Sequence, residues 1–211
     1  HIAAEIRLDT ALNNRLLCPF HYYGITDSID LKEIHWDHGH YDIAELSKIY
    51  RQNDSRTSLI FNALQKYLPN LNTVKALCFC VDIEHAKYMA AKFTLAGLKA
   101  DLLTSENEME RNRLCKALRD GKINYLFVVD MFNEGVDIPD VDTILFLRPT
   151  ESLTIFLQQL GRGLRKAKGK QYVNILDFVG QCRDEFDYTD RFRAIIGRTS
   201  MSIKEELERG F

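Results

Sequence analysis

Short apolar runs recur through the middle of the chain, and between them lie stretches whose apolar residues fall at helical spacing. Leu126 to Val129 is too short and too β-branched for a helix and reads as a strand buried on both faces, and Ala76-Leu77-Cys78-Phe79-Cys80-Val81 reads as another buried strand. Ala100 to Leu103, Thr143 to Leu147 and Tyr172 to Leu176 read as further strands. Ile83 to Leu95 carries Ala86, Met89, Ala90 and Phe93 on one helical face, capped by Asp82 and stopped by Gly97. Glu108 to Leu118, closed by Gly121, is a second helix, and a third starts near Ser152 and carries Gln158, Gly161, Arg162 and Arg165. Strand alternating with helix implies a parallel sheet with helices on both faces, and any ligand is then expected at the carboxyl ends of the strands. The loops after Val81, Leu103, Val129, Leu147 and Leu176 are expected to share that edge.

Residues 1–70 alternate less clearly. Ile6 to Leu17 suits a helix and Cys18 to Ile25 a strand, followed by helices over Ile43 to Tyr50 and Ser55 to Leu68, the latter capped by Asp54 or Ser55. We expect a lead-in segment over 1–70, an α/β domain over 71–180 and a charged helical tail over 181–211. The start at His1-Ile2-Ala3, without an initiator Met, is what a fragment would show.

Composition narrows the setting. Hydrophobic residues make up 45% and charged residues 27%, ordinary for a globular chain, and the net charge of -2 provides no general basic field. Nucleic acid, if bound, must meet a local groove. The five cysteines are scattered and form no CxxC pair, which fits a reducing, cytoplasmic setting and thiols used as small core residues. No apolar stretch is long enough to span a membrane. His35, His38 and His40 flank Trp36 without nearby cysteines, so they read as exposed or packing side chains and no metal site is expected.

The chemistry concentrates between Asp130 and Arg165. Asp130, Glu134 and Asp137 bracket Gly135, and Pro139 ends the loop. Arg162 and Arg165, three residues apart, would share one face of a helix, with Gly161 removing a side chain where a phosphate chain or another surface could come close. Arginine suits phosphate because its planar fork stays charged and binds two oxygens at once. On the arginines alone, a solvated basic helix end is an equal reading.

FNEGVDIP followed by QQLGRGLR resembles motifs V and VI of superfamily 2 helicases and translocases, in order and in spacing. ALCFCVDIEHAKYMAAKF resembles motif IV, and DLLTSENEMERNR the segment whose Thr104 and Ser105 would face a backbone phosphate. The likeness covers about Val74 to Phe178. It implies a RecA-like three-layer α/β/α domain with a mostly parallel sheet, the second of two lobes that close on ATP and Mg2+. The N-terminal RecA-like lobe of the same polypeptide and a nucleic acid would be its partners. It further implies Arg165 as arginine finger with Arg162 beside it at the γ-phosphate, Asp137 at the ribose and Gly135 keeping the loop close. Gln158, Gly161 and Glu134 would complete the nucleotide side; Asp82 and Asp130, with Thr104 and Ser105, would lie on the nucleic-acid side.

Two departures matter. Val129 stands where many members carry Thr or Ser, so no hydroxyl contact is expected there; Glu134 replaces an Arg common in RNA-unwinding members and tilts the reading to double-stranded DNA. Neither a GxxxxGK[ST] loop nor a carboxylate box follows any strand, so the chain is expected to be idle as an ATPase by itself. Two alternatives remain: a stand-alone nucleotide-binding α/β module, against which Val81-Asp82-Ile83-Glu84 lacks glycine, and a non-catalytic nucleic-acid module.

Overall fold

The computed structural model describes residues 17–129, 138–150 and 153–181. The helix expected before Cys18 and the tail beyond Gln181 lie outside them. So do Asp130, Glu134, Gly135 and Asp137.

Six strands form one parallel sheet in the order β1-β8-β7-β4-β6-β5. They are β1 (Phe20–Asp30), β4 (Ala76–Phe79), β5 (Ala100–Leu103), β6 (Tyr125–Val128), β7 (Thr143–Phe146) and β8 (Val173–Gln181). The apolar runs end up where their composition requires: every residue of β4, β6 and β7 is buried. Alternate side chains serve opposite layers. Leu77 and Phe79 pack with helices α4 (Arg111–Arg119) and α5 (Leu153–Gly163), through Leu114, Leu118, Phe156 and Leu160. Cys78 and Cys80 pack with α2 (Asp54–Tyr67) and α3 (Ile83–Leu95), through Ile60, Leu64, Met89 and Phe93. The result is the expected three-layer α/β/α arrangement, with thiols as core residues; burial pushes the Cys78 thiol well above its usual range.

Residues before position 71 contribute directly to this sheet. β1 runs parallel to β8 from Phe20–Val173 to Thr26–Val179 and closes one edge. The chain then forms a small third core over the carboxyl end of β4. There the hairpin β2 (Trp36–Asp37) and β3 (His40–Tyr41) and helix α1 (Ile43–Arg51) gather Leu31, Ile34, Tyr41, Leu46 and Tyr50 against Val81. His38 and Gly39, at φ +48° and +87°, make the two-residue hairpin turn. The histidines therefore serve a turn, and among the described residues no cluster of three His, Cys, Asp or Glu could hold a metal ion.

Three local expectations are corrected. α2 begins one residue early, because the Asn53 side chain, rather than Asp54 or Ser55, accepts the Arg56 N–H at 2.8 Å. The helix expected from Glu108 is preceded by a tighter 3-10 turn over Ser105–Glu110. It is kinked where the Asn107 side chain turns back to accept from Thr104 N–H and donate to the Leu102 carbonyl. The third helix stops at Gly163, two residues before Arg165.

Candidate functional site

Because all six strands are parallel, the sheet has two distinct edges, and the candidate residues divide between them. Asp82 follows β4 and Thr104 follows β5, so both lie at the carboxyl edge. Asp82 caps α3 by accepting His85 N–H at 2.7 Å, and it also accepts the Ser47 hydroxyl at 2.8 Å, tying α1 to this edge. Thr104 is buried, and its hydroxyl accepts Glu106 N–H within a capping box. Ser105 beside it is exposed. Lys87 bridges the two loops, 3.1 Å from Glu84 and 3.0 Å from Glu106. A local, solvent-facing rim results, built on helix and 3-10 starts whose amide groups suit an anion.

The arginines lie at the opposite edge. α5 leaves β7 at the carboxyl edge and therefore ends at the amino edge, where Leu164 accepts Cys18 N–H at 2.8 Å just ahead of β1. The described loops after Val81, Leu103 and Leu147 share the carboxyl edge as expected, while Arg162 and Arg165, carried to the far end of α5, leave the core at the other. Along α5, Phe156, Gln159, Leu160, Gly163 and Leu164 are buried, while Gln158 on the other side is exposed and Gly161 and Arg162 are half-buried. This is helical periodicity resolving two adjacent glutamines: Gln159 belongs to the core and Gln158 to the outer face.

The glycines divide similarly. A Cβ on Gly163 would stand 2.6 Å from the Ile144 side chain, so this glycine lets α5 close on β7. Gly161 meets nothing within 4 Å among the described residues and leaves its face open. The Lys170 ammonium gathers the end of the helix: it donates to the carbonyls of Gly163, of Arg165 at 2.9 Å and of Pro139 at 2.9 Å. Carbonyls left without partners where the helix ends are thereby satisfied by a side chain from beyond it. Arg162 and Arg165 are consequently not neighbours on one helix; Arg165 is exposed in the bend that follows. Lys170 announces itself in the sequence only as one more cation beyond a helix end.

A buried network supports the carboxyl edge. Arg56 Nε lies 2.5 Å from Asp27, its Nη2 donates to the Leu147 carbonyl at 3.0 Å, and its guanidinium stacks 3.7 Å from the Tyr50 ring centre. His85 lies fully buried nearby, with Nδ1 accepting Val81 N–H. Burial, reinforced by the charges of Arg56 and Arg51, holds its pKa well below the usual 6.5. The unfolded chain therefore binds a proton that the folded chain refuses. Stability from this group is complete above about pH 6.5 and falls as the pH drops below it, by up to about 1.4 kcal/mol per pH unit. Thermal melting between pH 8 and 5 should show a steeper acid loss for the parent chain than for His85→Gln; parallel curves would remove His85 as the cause.

The comparisons agree with this architecture. A family model described as helicase conserved C-terminal domain matches residues 59–167, more than half of the chain. A 51.5 kDa protein of Lactococcus phage (isolate 7-9) is 34% identical over 172 residues, covering 80% of this chain and 36% of that protein. The provisionally named ATP-dependent helicase IRC3 of Saccharomyces cerevisiae (strain ATCC 204508 / S288c) is 27% identical over 170 residues, 80% of this chain and 24% of that one. The chain thus spans about a third or less of these relatives. Among solved structures, a fragment assigned as the HsdR subunit of a type I restriction enzyme from Vibrio vulnificus YJ016 superposes with a TM-score of 0.63 at 21% identity. That match covers 86% of this chain and 36% of the other, and at this identity it speaks for the fold. The chain belongs to the helicase conserved C-terminal domain family and is built as the RecA-like second lobe of a superfamily 2 helicase.

Proposed function

We propose that this chain is the second lobe of an ATP-driven motor that moves on double-stranded DNA. In this reading the amino-edge segment of α5 closes on a nucleotide and the carboxyl-edge rim follows a phosphate backbone. The observation that carries it is the separation itself. Arg162 and the exposed Arg165 leave the core at one edge while the exposed Ser105, beside the Lys87 bridge, leaves it at the other. One domain can then touch two ligands at once and couple them.

ATP would supply the phosphoryl group and Mg2+ would supply compensating positive charge, both held mainly by the N-terminal RecA-like lobe. Guanidinium chemistry fits such a group. Arg165 stabilises negative charge as it develops on the transferred phosphoryl, and Arg162 holds the phosphate in register. Asp137 is assigned to the ribose, Gly135 to keeping its loop close and Glu134 to the nucleotide side, and Gln158 and Gly161 line the outer face of α5. Asp82 and Thr104 act by shaping the two loops, because their side chains are engaged in caps. Ser105 and Asp130 complete the nucleic-acid side. A lead-in over 1–70, joined to the 71–180 lobe through β1 and α2, and a tail over 181–211 belong to the same proposal. The preference for DNA rests on Glu134 and on fold neighbours such as LlaBIII, a type ISP restriction-modification enzyme whose structure is bound to DNA, at a TM-score of 0.55 and 19% identity.

The test is ATP hydrolysis by this chain alone and by the complete protein, with duplex DNA and with RNA. The isolated chain should show no turnover above background, since its sequence contains no phosphate loop. The complete protein should be stimulated by duplex DNA, and its affinity should fall as salt rises, with little dependence on base sequence. Stimulated turnover by the chain alone, or base-specific binding that survives high salt, would refute the corresponding part.

A further inference from the structure

We infer that Lys170 is a positioning residue for the arginine segment, setting the backbone of Gly163 to Arg165 against the Pro139 end of the acidic glycine loop. This rests on the nucleotide-side reading above and extends it to a residue outside both motifs.

An ammonium has three donors and no acceptor, and Lys170 commits one each to the carbonyls of Gly163, Arg165 and Pro139. The carbonyl between them, Leu164, accepts Cys18 N–H at 2.8 Å. Three successive carbonyls at the end of α5 are therefore all held by groups from elsewhere in the fold. Such an arrangement over-determines the backbone from which Arg165 projects, whereas a helix end left to water frays.

The chain goes to some length to deliver this side chain. After Arg165 it turns back through Lys170 N–H to the Ala167 carbonyl at 3.2 Å, with Gly169 at φ +83°, a conformation that favours glycine. The turn also borders a cleft of about 330 Å3 lined by Lys75, Asp140, Asp142 and Tyr172. Lys170 is itself half-buried and reaches across to Pro139, 31 residues away. One cation thus joins Pro139, two residues after Asp137 in sequence, to the segment carrying Arg165. An arginine finger acts only where its guanidinium meets developing charge, and misplacement by about 1 Å can cost about a hundredfold in rate. The cation is suited to fix that placement.

The experiment is nucleic-acid-stimulated turnover of the complete protein with Lys170→Met, which keeps the apolar stem and removes all three donors. Turnover should fall at least tenfold while the KM for ATP stays within threefold, a split that general loosening of the fold would not produce. In the Arg165→Ala background, Lys170→Met should lower turnover by no more than a further twofold, because both changes disable one unit. If Lys170→Met fails to fold, Lys170→Gln, which keeps two donors, takes its place with an expected loss of threefold or more at unchanged KM. A folded variant with turnover within twofold of the parent, or losses that multiply with Arg165→Ala, would overturn the inference. Should Arg165→Ala itself retain full turnover, the finger reading falls and the role of Lys170 falls with it. Loss with Arg165→Ala but not with Lys170→Met removes only Lys170.

Discussion

Arg165→Ala in the complete protein is expected to lower nucleic-acid-stimulated ATP turnover by roughly 10³- to 10⁵-fold where phosphoryl transfer limits the cycle. The loss should be smaller where closure of the lobes is slower than chemistry. Arg165 is exposed in the bend after α5, so its removal takes away little packing and should leave the melting temperature nearly unchanged. In the proposed role its contribution is confined to the moment when charge builds on the transferred phosphoryl. The KM for ATP should therefore move far less than kcat. Arg165→Lys should rescue little, because a point charge does not reproduce a planar fork. Arg162→Ala should also impair turnover, with some loss of packing because its stem is half-buried. By contrast, Arg148 lies outside the motif helix, and its substitution should spare the kcat of whatever protein folds. Stimulated turnover near the parent value in a folded Arg165→Ala protein would reduce the segment to a basic surface.

Asp27→Ala should destabilise the fold by about 3–5 kcal/mol, the usual result of leaving one member of a buried ion pair without its partner. Asp27 and Arg56 are both about fully buried, and the pair is 2.5 Å apart. Without the carboxylate, the guanidinium retains only the Leu147 carbonyl and the Tyr50 ring, and Ile29 N–H loses its acceptor at 3.1 Å. The damage spreads because the pair joins three elements: β1 supplies Asp27, α2 supplies Arg56, and the carbonyl belongs to the end of β7. A loss of that size is a large share of the roughly 5–15 kcal/mol that holds a typical domain together. It should appear as a fall in Tm of roughly 6–20 °C. Replacing both residues by apolar ones of similar volume, as in Asp27→Leu with Arg56→Met, should recover most of it, since no charge is then buried. If Asp27→Ala melts within 2 °C of the parent, the network is not what fastens β1 to the sheet.

Much of this protein was legible in its chain. The runs at Ala76, Ala100, Leu126, Thr143 and Tyr172 became five parallel strands because a short, mostly apolar segment between helices has few other ways to satisfy its backbone on entering the core. The α3 helix was readable to the residue, since Asp82 and Gly97 act through local geometry alone. The order of the two motifs in sequence was enough to point to the family that the comparisons then showed.

What the chain could not reveal were facts about distance in space. Nothing in Asp27 or Arg56 singles them out, because each looks like a surface charge until the fold brings them together in the core from 29 positions apart. Helical spacing predicted Arg162 and Arg165 on one face, but it could not include the helix ending at Gly163 or Lys170 returning from beyond the turn to satisfy the carbonyls left there. The edge on which each candidate residue sits was likewise undetermined. Local pattern sets which residues are strand and helix, through backbone sterics and the alternation of side chains. The parallel closure of β1 on β8 and the return of α5 to the amino edge depend on contacts between distant residues, and those alone decided that Arg162 and Arg165 leave the core at the edge opposite Asp82 and Thr104.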